Sequence, residues 1–314
     1  MDDTFNITSI TVSGYVEVAK YRYLYFMIMF TAYILIICCN STVVCLIWIH
    51  QNLHEPMYIF IAALLMNSVL FSTSIYPKLL IDLLSEKQTI SYSACLFQFF
   101  QFYSLGASEF LLLVAMAYDR YVSICKPLQY PTIMSKTTIG IFLVLAWILP
   151  ACQIAVPAIL SAEARLCDFT LKGIICNNAI YRLQCQRSRV IPTYGVVALL
   201  DLAILPMVFI SFTYTKILII SYRSSREVKR KAAETCLPHL LVLISLSCLI
   251  TYDVIIARVE SNLPKTARFM MTLQIVLYHP LFNPIIYGLK MKAISKHLKK
   301  LFCPAKVISC NTDD

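Results

Sequence analysis

Residues 96–125 read LFQFFQFYSLGASEFLLLVAMAYDRYVSIC. From Leu96 to Tyr118 the one charged residue is Glu109, and the run ends on Asp119 and Arg120. A helix turns about 100° per residue, so Glu109 and Arg120 lie about 20° from facing the same way and about 16 Å apart along the axis. They share one stripe. Ionisable groups at such depth are costly unless they face a bundle interior or a watery cavity, so the stripe points inward. Stepping outward along it reaches Gly106 and Phe102, with Tyr103 and Ala107 beside them, and these four are expected to line the outer half of a cavity.

Hydrophobic residues make up 59% of the 314, charged residues 14%, and mean hydropathy is +0.71. This is too apolar for a soluble domain and defines a polytopic membrane protein. Seven segments are long enough to cross about 30 Å of hydrocarbon, near 24–50, 57–84, 96–118, 138–160, 191–220, 237–257 and 269–289. Their length and lack of strand-like alternation make them helices rather than barrel strands. The expected fold is an all-α membrane protein, a seven-helix bundle over 24–289 with an N-terminal stretch 1–23 and a tail 290–314. In that tail Met291, Ile294, Leu298, Leu301 and Phe302 fall on one face and Lys292, Lys296, Lys299 and Lys300 elsewhere. That pattern lays a short helix on the inner leaflet. Cys303 at its end is a candidate for palmitoylation.

No apolar stretch with a small-residue cleavage site precedes Lys20, so the first helix is expected to act as the insertion signal. Arg223, Arg226, Lys229, Arg230 and Lys231 follow the fifth segment, and Lys290, Lys292, Lys296, Lys299 and Lys300 follow the seventh. Positive charge favours the cytoplasm for both, which leaves the N-terminus outside. The sequon Asn6-Ile7-Thr8 then invites glycosylation, while Asn40-Ser41-Thr42 lies within the first helix. The net charge of +10 follows membrane edges and reads as topology and lipid contact, not nucleic-acid binding. Most of the thirteen cysteines fall in apolar segments, where thiols behave as small buried hydrophobes. Cys95 heads the third helix, and Cys167, Cys176 and Cys185 sit in the loop around 161–190. One bridge from helix to loop and one within the loop fit, with three connectivities open; Cys95–Cys176 with Cys167–Cys185 is the pairing expected.

Glu55-Pro56 suits the first turn of the second helix, where a missing N–H costs nothing and an acid suits the dipole. Asn283-Pro284 in the seventh breaks the hydrogen-bond ladder and makes a hinge. Four motifs in order resemble the olfactory receptors, a family of rhodopsin-like G-protein-coupled receptors. They are Pro56-Met57-Tyr58, the stretch from Met116 to Leu128 around Asp119-Arg120-Tyr121, the stretch from Lys231 to His239, and the stretch from Pro280 to Tyr287. The resemblance covers essentially the whole chain and looks closest to the aquatic-vertebrate branch. It implies that Asp119 holds Arg120 at rest and releases it on activation to meet the G-protein. Tyr214 and Tyr287 would swing in to support the open state, with His239 part of the switch. It further implies an odorant bound among helices three, five, six and seven, a stimulatory G-protein of the olfactory type with the cAMP pathway, and no cofactor or metal. The chain departs from the family where Cys39 precedes Asn40, where Ser247 replaces a common tyrosine, and where Asn67-Ser68 replaces a common aspartate. The last change removes the second carboxylate that a sodium site at Glu109 would need.

On the sixth segment Ile250, Val254 and Arg258 are spaced four apart and climb one face to the membrane edge. Arg258 there offers a fork of donors for a carboxylate, so an anionic or amino-acid-like ligand is expected. Asp201 and Asp253 are further polar candidates. A retinal receptor would need a lysine within 269–289, which has none, and an amine receptor would show an aspartate where Phe102 stands. Neither His-Glu-x-x-His nor Gly-x-Ser-x-Gly occurs, which argues against an enzyme. A transporter or channel would use Glu109, Asp201 and Asp253 as a path, but it predicts inverted repeats or interrupted helix pairs that are not seen.

Overall fold

The computed structural model describes residues 9–186, 188, 190–222, 236–237, 239–248 and 264–302. Six of its helices are long and apolar enough to cross a membrane: α1 (Val18–Ile49), α2 (Pro56–Leu84), α3 (Tyr92–Cys125), α4 (Lys136–Ala162), α5 (Val190–Tyr222) and α7 (Lys265–Lys290). The apolar helix α6 (His239–Cys248) lies between α5 and α7 in the chain and completes a seven-helix bundle. A final helix, α8, spans Lys292–Phe302. α3 runs through the centre against α2, α4 and α5, while α1 packs on α2, α7 and α8.

Local chemistry sets the helix ends. Pro56 opens α2 after an extended Glu55, and the hydroxyls of Ser91 and Ser135 cap α3 and α4 by accepting from Ala94 N and Thr138 N. α1 begins at Val18 rather than near 24. Lys20 and Arg22 depress hydropathy there, but a helix's hydrogen bonds continue past the edge of the hydrocarbon. α7 starts at Lys265 rather than near 269 for the same reason.

Prolines inside the helices each free a carbonyl four residues earlier, and lipid offers no water to satisfy it. Pro284 frees Pro280 O, which accepts from Asn40 Nδ2 of α1 at 3.0 Å. Pro280 frees Val276 O, which accepts from the Tyr76 hydroxyl of α2 at 3.4 Å. Pro157 frees Gln153 O, which accepts from the Tyr194 hydroxyl of α5 at 3.1 Å. These three breaks are thus closed by a neighbouring helix, which fixes how the two pack. Asn67 adds a similar tie, donating to Leu105 O of α3 at 2.9 Å and accepting from Trp147 Nε1 of α4 at 3.2 Å.

The N-terminal end of the bundle is capped by a small sheet of order β2-β1-β3, with β1 (Ser9–Val12) antiparallel to β2 (Thr89–Ser91) and parallel to β3 (Thr170–Leu171). Cys95–Cys176 ties the head of α3 to the long loop, and Cys167–Cys185 closes the loop on itself. Cys176 N donates to Gln98 Oε1 at 2.9 Å and Asn178 N to the Tyr103 oxygen at 3.1 Å, so the loop is held down over the helices. Tyr15, beyond β1, donates to Asp82 Oδ2 at 3.2 Å while Lys78 pairs with the same carboxylate. Burial first, then the Asp82 charge, hold the Tyr15 hydroxyl above the usual tyrosine range, so it remains a donor. At the opposite end Ile294 of α8 is fully buried, and Gly288 leaves room for Leu298.

The cap depends on a close approach at Gly14, where a Cβ would fall 2.3 Å from the carbonyl carbon of Gly173. Gly14→Ala should therefore cost about 1–3 kcal/mol, measured as a lower thermal unfolding temperature and reduced surface display. Gly140→Ala, whose Cβ meets nothing within 4 Å, should be neutral or stabilising; equal effects from the two would refute the packing described.

Candidate functional site

A polar cluster crosses the middle of the bundle where α2, α3 and α7 meet. Glu109 of α3 is 3% exposed. Its Oε1 accepts from Asn283 Nδ2 at 2.7 Å, and the same amide donates to Ser68 Oγ of α2 at 2.9 Å. Its Oε2 lies 2.9 Å from His279 Nε2, close enough for an ion pair. His279 and Asn283 are four residues apart on α7 and so present one face to Glu109. Of the Asn67-Ser68 pair it is Ser68 that joins this cluster, while Asn67 turns to α3 and α4. His279 was not singled out from sequence. Its signal was its spacing from Asn283 on a helix bound to pack against an intramembrane acid.

Above the cluster, toward the N-terminal end, lies a cavity of about 460 Å³. Glu109, His279, Phe110 and Leu246 form its floor; Phe71, Phe102, Tyr103, Ile154, Tyr194 and Leu202 stand in its walls; Asn178, Tyr181, Arg182 and Gln184 of the long loop roof it. The residues Phe102, Tyr103, Gly106 and Ala107 all lie in the lining. Gly106 opens onto it, since a Cβ there would meet nothing within 4 Å. Arg182 entered without any sequence cue, because it sits on a loop turn (Asn178–Arg182) whose course only the disulfides and the sheet define. Burial, and secondarily Tyr92, hold the Tyr181 hydroxyl above the usual tyrosine range.

Asp201 requires a correction. It is exposed on the outside of α5 and takes no part in the lining. Residues Leu200–Ile204 form a π turn, which widens the helix and shifts its register, so that Leu199, Leu202 and Ala203 reach the cavity instead. Ile250, Asp253, Val254 and Arg258 lie outside the described residues, as do Asn6 and Cys303.

At the other end of α3, Arg120 Nε donates to Asp119 Oδ2 at 2.8 Å, and the Tyr130 hydroxyl donates to Asp119 Oδ1 at 2.8 Å. Asp119 is fully buried and Arg120 nearly so, with Tyr121 half-buried beside them. The Tyr287 hydroxyl approaches His239 Nδ1 at 3.5 Å across α6 and α7. The Tyr214 hydroxyl and His239 Nε2 are buried with no hydrogen-bond partner among the described residues. Among the described residues no three His, Cys, Asp or Glu side chains converge to hold a metal.

A membrane bundle with a roofed cavity at one end and a paired, buried arginine at the other defines a transmembrane receptor. The family model described as olfactory receptor matches residues 29–305. Olfactory receptor 11A1 of Homo sapiens is 31% identical over 301 residues, covering 95% of this chain and 94% of that protein. Olfactory receptor 11G2 of Homo sapiens is 33% identical over 286 residues (89% and 81%), and olfactory receptor 1E16 of Mus musculus 32% over 295 residues (92% and 92%). The chain belongs to the olfactory receptor family; it is a multi-pass receptor of the G-protein-coupled class and not an enzyme.

Because Asp201 faces outward, Asp201→Leu should leave the affinity of cavity ligands within about threefold and should not lower thermal stability, since a lipid-facing carboxyl is unfavourable. A tenfold loss of affinity would place the carboxyl in the cavity.

Proposed function

We propose that the cavity is the odorant site and that its occupation drives a stimulatory G-protein of the olfactory type, raising cAMP in sensory neurons. The observation that carries the reading is that Glu109 at the cavity floor and the Asp119–Arg120 pair lie on one helix, with Glu109 bonded to Asn283 of α7. A ligand that replaces packing against Leu246 would move α6 relative to α3. Arg120 would then leave Asp119 for the side of Tyr214 and Tyr287, where the Tyr214 hydroxyl has no hydrogen-bond partner among the described residues. Exchange of one buried partner for another makes a two-state element that ligand can bias.

The reading places the sheet, the long loop and Asn6 outside the cell, and α8 with its lysines on anionic lipid inside, with Cys303 as an anchor. The ligand is a small molecule with an anionic, amino-acid-like head, met by Arg258, which its four-residue spacing from Val254 carries to the membrane edge. Arg182 in the roof adds positive charge to the same end.

In cells carrying the olfactory G-protein and a cAMP reporter, short carboxylic and amino acids should evoke a response that Arg120→Ala abolishes and Gly106→Trp, which fills the cavity, suppresses at least tenfold. Arg258→Ala should remove the response to acids while sparing surface display. Unchanged potency in Gly106→Trp would exclude the cavity as the site, and unchanged potency of acids in Arg258→Ala would exclude the anionic ligand.

A further inference from the structure

The Glu109–His279 contact at the cavity floor is close but incomplete. His279 Nε2 is buried 2.9 Å from Glu109 Oε2, yet off the line of an N–H bond, and it has no aligned acceptor among the described residues. Glu109 Oε1 is taken by Asn283, whereas Oε2 faces this misaligned nitrogen. With the imidazole proton on Nε2, the floor presents one acceptor and one donor side by side, poorly aligned with each other, beneath apolar walls that include Phe71 and Phe102. Unmade bonds in such surroundings are costly, so a ligand group that completes them gains.

Donor and acceptor counting selects the group. A carboxylate would meet the Glu109 charge at the same spot and be repelled. An ammonium would satisfy Oε2 but place a cation against His279. A carbonyl would accept from Nε2 and leave Oε2 as it was. A hydroxyl donates one bond and accepts another without adding charge, and so bridges the pair after a small turn of the imidazole.

We propose that Glu109 and His279 form a subsite for a ligand hydroxyl, so that this receptor recognises an alcohol or phenol group buried at the cavity floor. The hydroxyl donates to Glu109 Oε2 and accepts from His279 Nε2, and the apolar body of the ligand packs between α3 and α5 above it. This rests on the reading of the cavity as the ligand site. It is separate from the anionic group placed at the rim, and a molecule carrying both groups would span the site.

The test is thermal-shift binding to purified full-length receptor with four probes in six- and eight-carbon lengths: the n-alkane, the 1-alkanol, the alkanoic acid and the ω-hydroxyalkanoic acid. Adding the hydroxyl should tighten binding at least tenfold, with or without the acid. That gain should vanish in Glu109→Leu/His279→Leu, which removes the donor and the acceptor together and leaves no unpaired charge to unfold the protein. It should survive within about threefold in Glu109→Gln/His279→Gln, which keeps a donor and an acceptor. A hydroxyl gain that is absent in the wild type, or that persists in the Leu variant, overturns the inference. Binding that survives Gly106→Trp overturns the cavity reading as well, and a hydroxyl gain without any acid gain supports the floor subsite while removing the anionic rim.

Discussion

A carboxylate held out of water in the middle of a helical bundle has to be answered by donors, and Glu109 sets that demand here. The answer comes from α7, where Asn283 donates to one oxygen through an amide shared with Ser68 of α2 and His279 stands 2.9 Å from the other. To deliver both groups α7 must present one face at a fixed height. The prolines at 280 and 284 lie within that same turn and leave carbonyls that Tyr76 and Asn40 satisfy from α2 and α1. One buried charge thereby organises four helices, and removing its partners would leave several groups unpaired at once.

The same arrangement is the lever of the proposed mechanism. The cavity ends on Glu109 and His279, so whatever occupies it rests directly on the tie between α3 and α7. In the proposed mechanism α3 carries the consequence to Asp119 and Arg120, beside Tyr214 and His239, whose hydroxyl and Nε2 have no hydrogen-bond partner among the described residues. The carbonyls freed by Pro157, Pro280 and Pro284 are satisfied by side chains of neighbouring helices, which ties those helices together in pairs.

Much of this was legible in the sequence because lipid imposes simple rules. Apolar length marked the helices, and the eleven-residue spacing from Glu109 to Arg120 put Phe102, Gly106 and the two charges on one stripe. Other parts were hidden for physical reasons. A π turn shifts the register of α5, so the polarity of Asp201 alone did not tell that it faces away from the cavity. His279 looked like any histidine until the packing of α7 on α3 gave it a partner. The strand at Ser9–Val12 forms only because β2 and β3 are brought beside it by the folded bundle, and Arg182 reaches the cavity only because the loop is pinned by Cys95–Cys176. These are long-range consequences, and no local pattern announces them.

The central claim is that Glu109 and His279 act as a coupled pair. A double-mutant cycle of thermal unfolding on the purified receptor, with Glu109→Gln, His279→Leu and both together, measures it directly. The account predicts that the double variant loses less stability than the two single losses combined, by about 2 kcal/mol. Losses that add within about 0.5 kcal/mol would mean the two side chains do not interact, and the organising role given to Glu109 would be wrong.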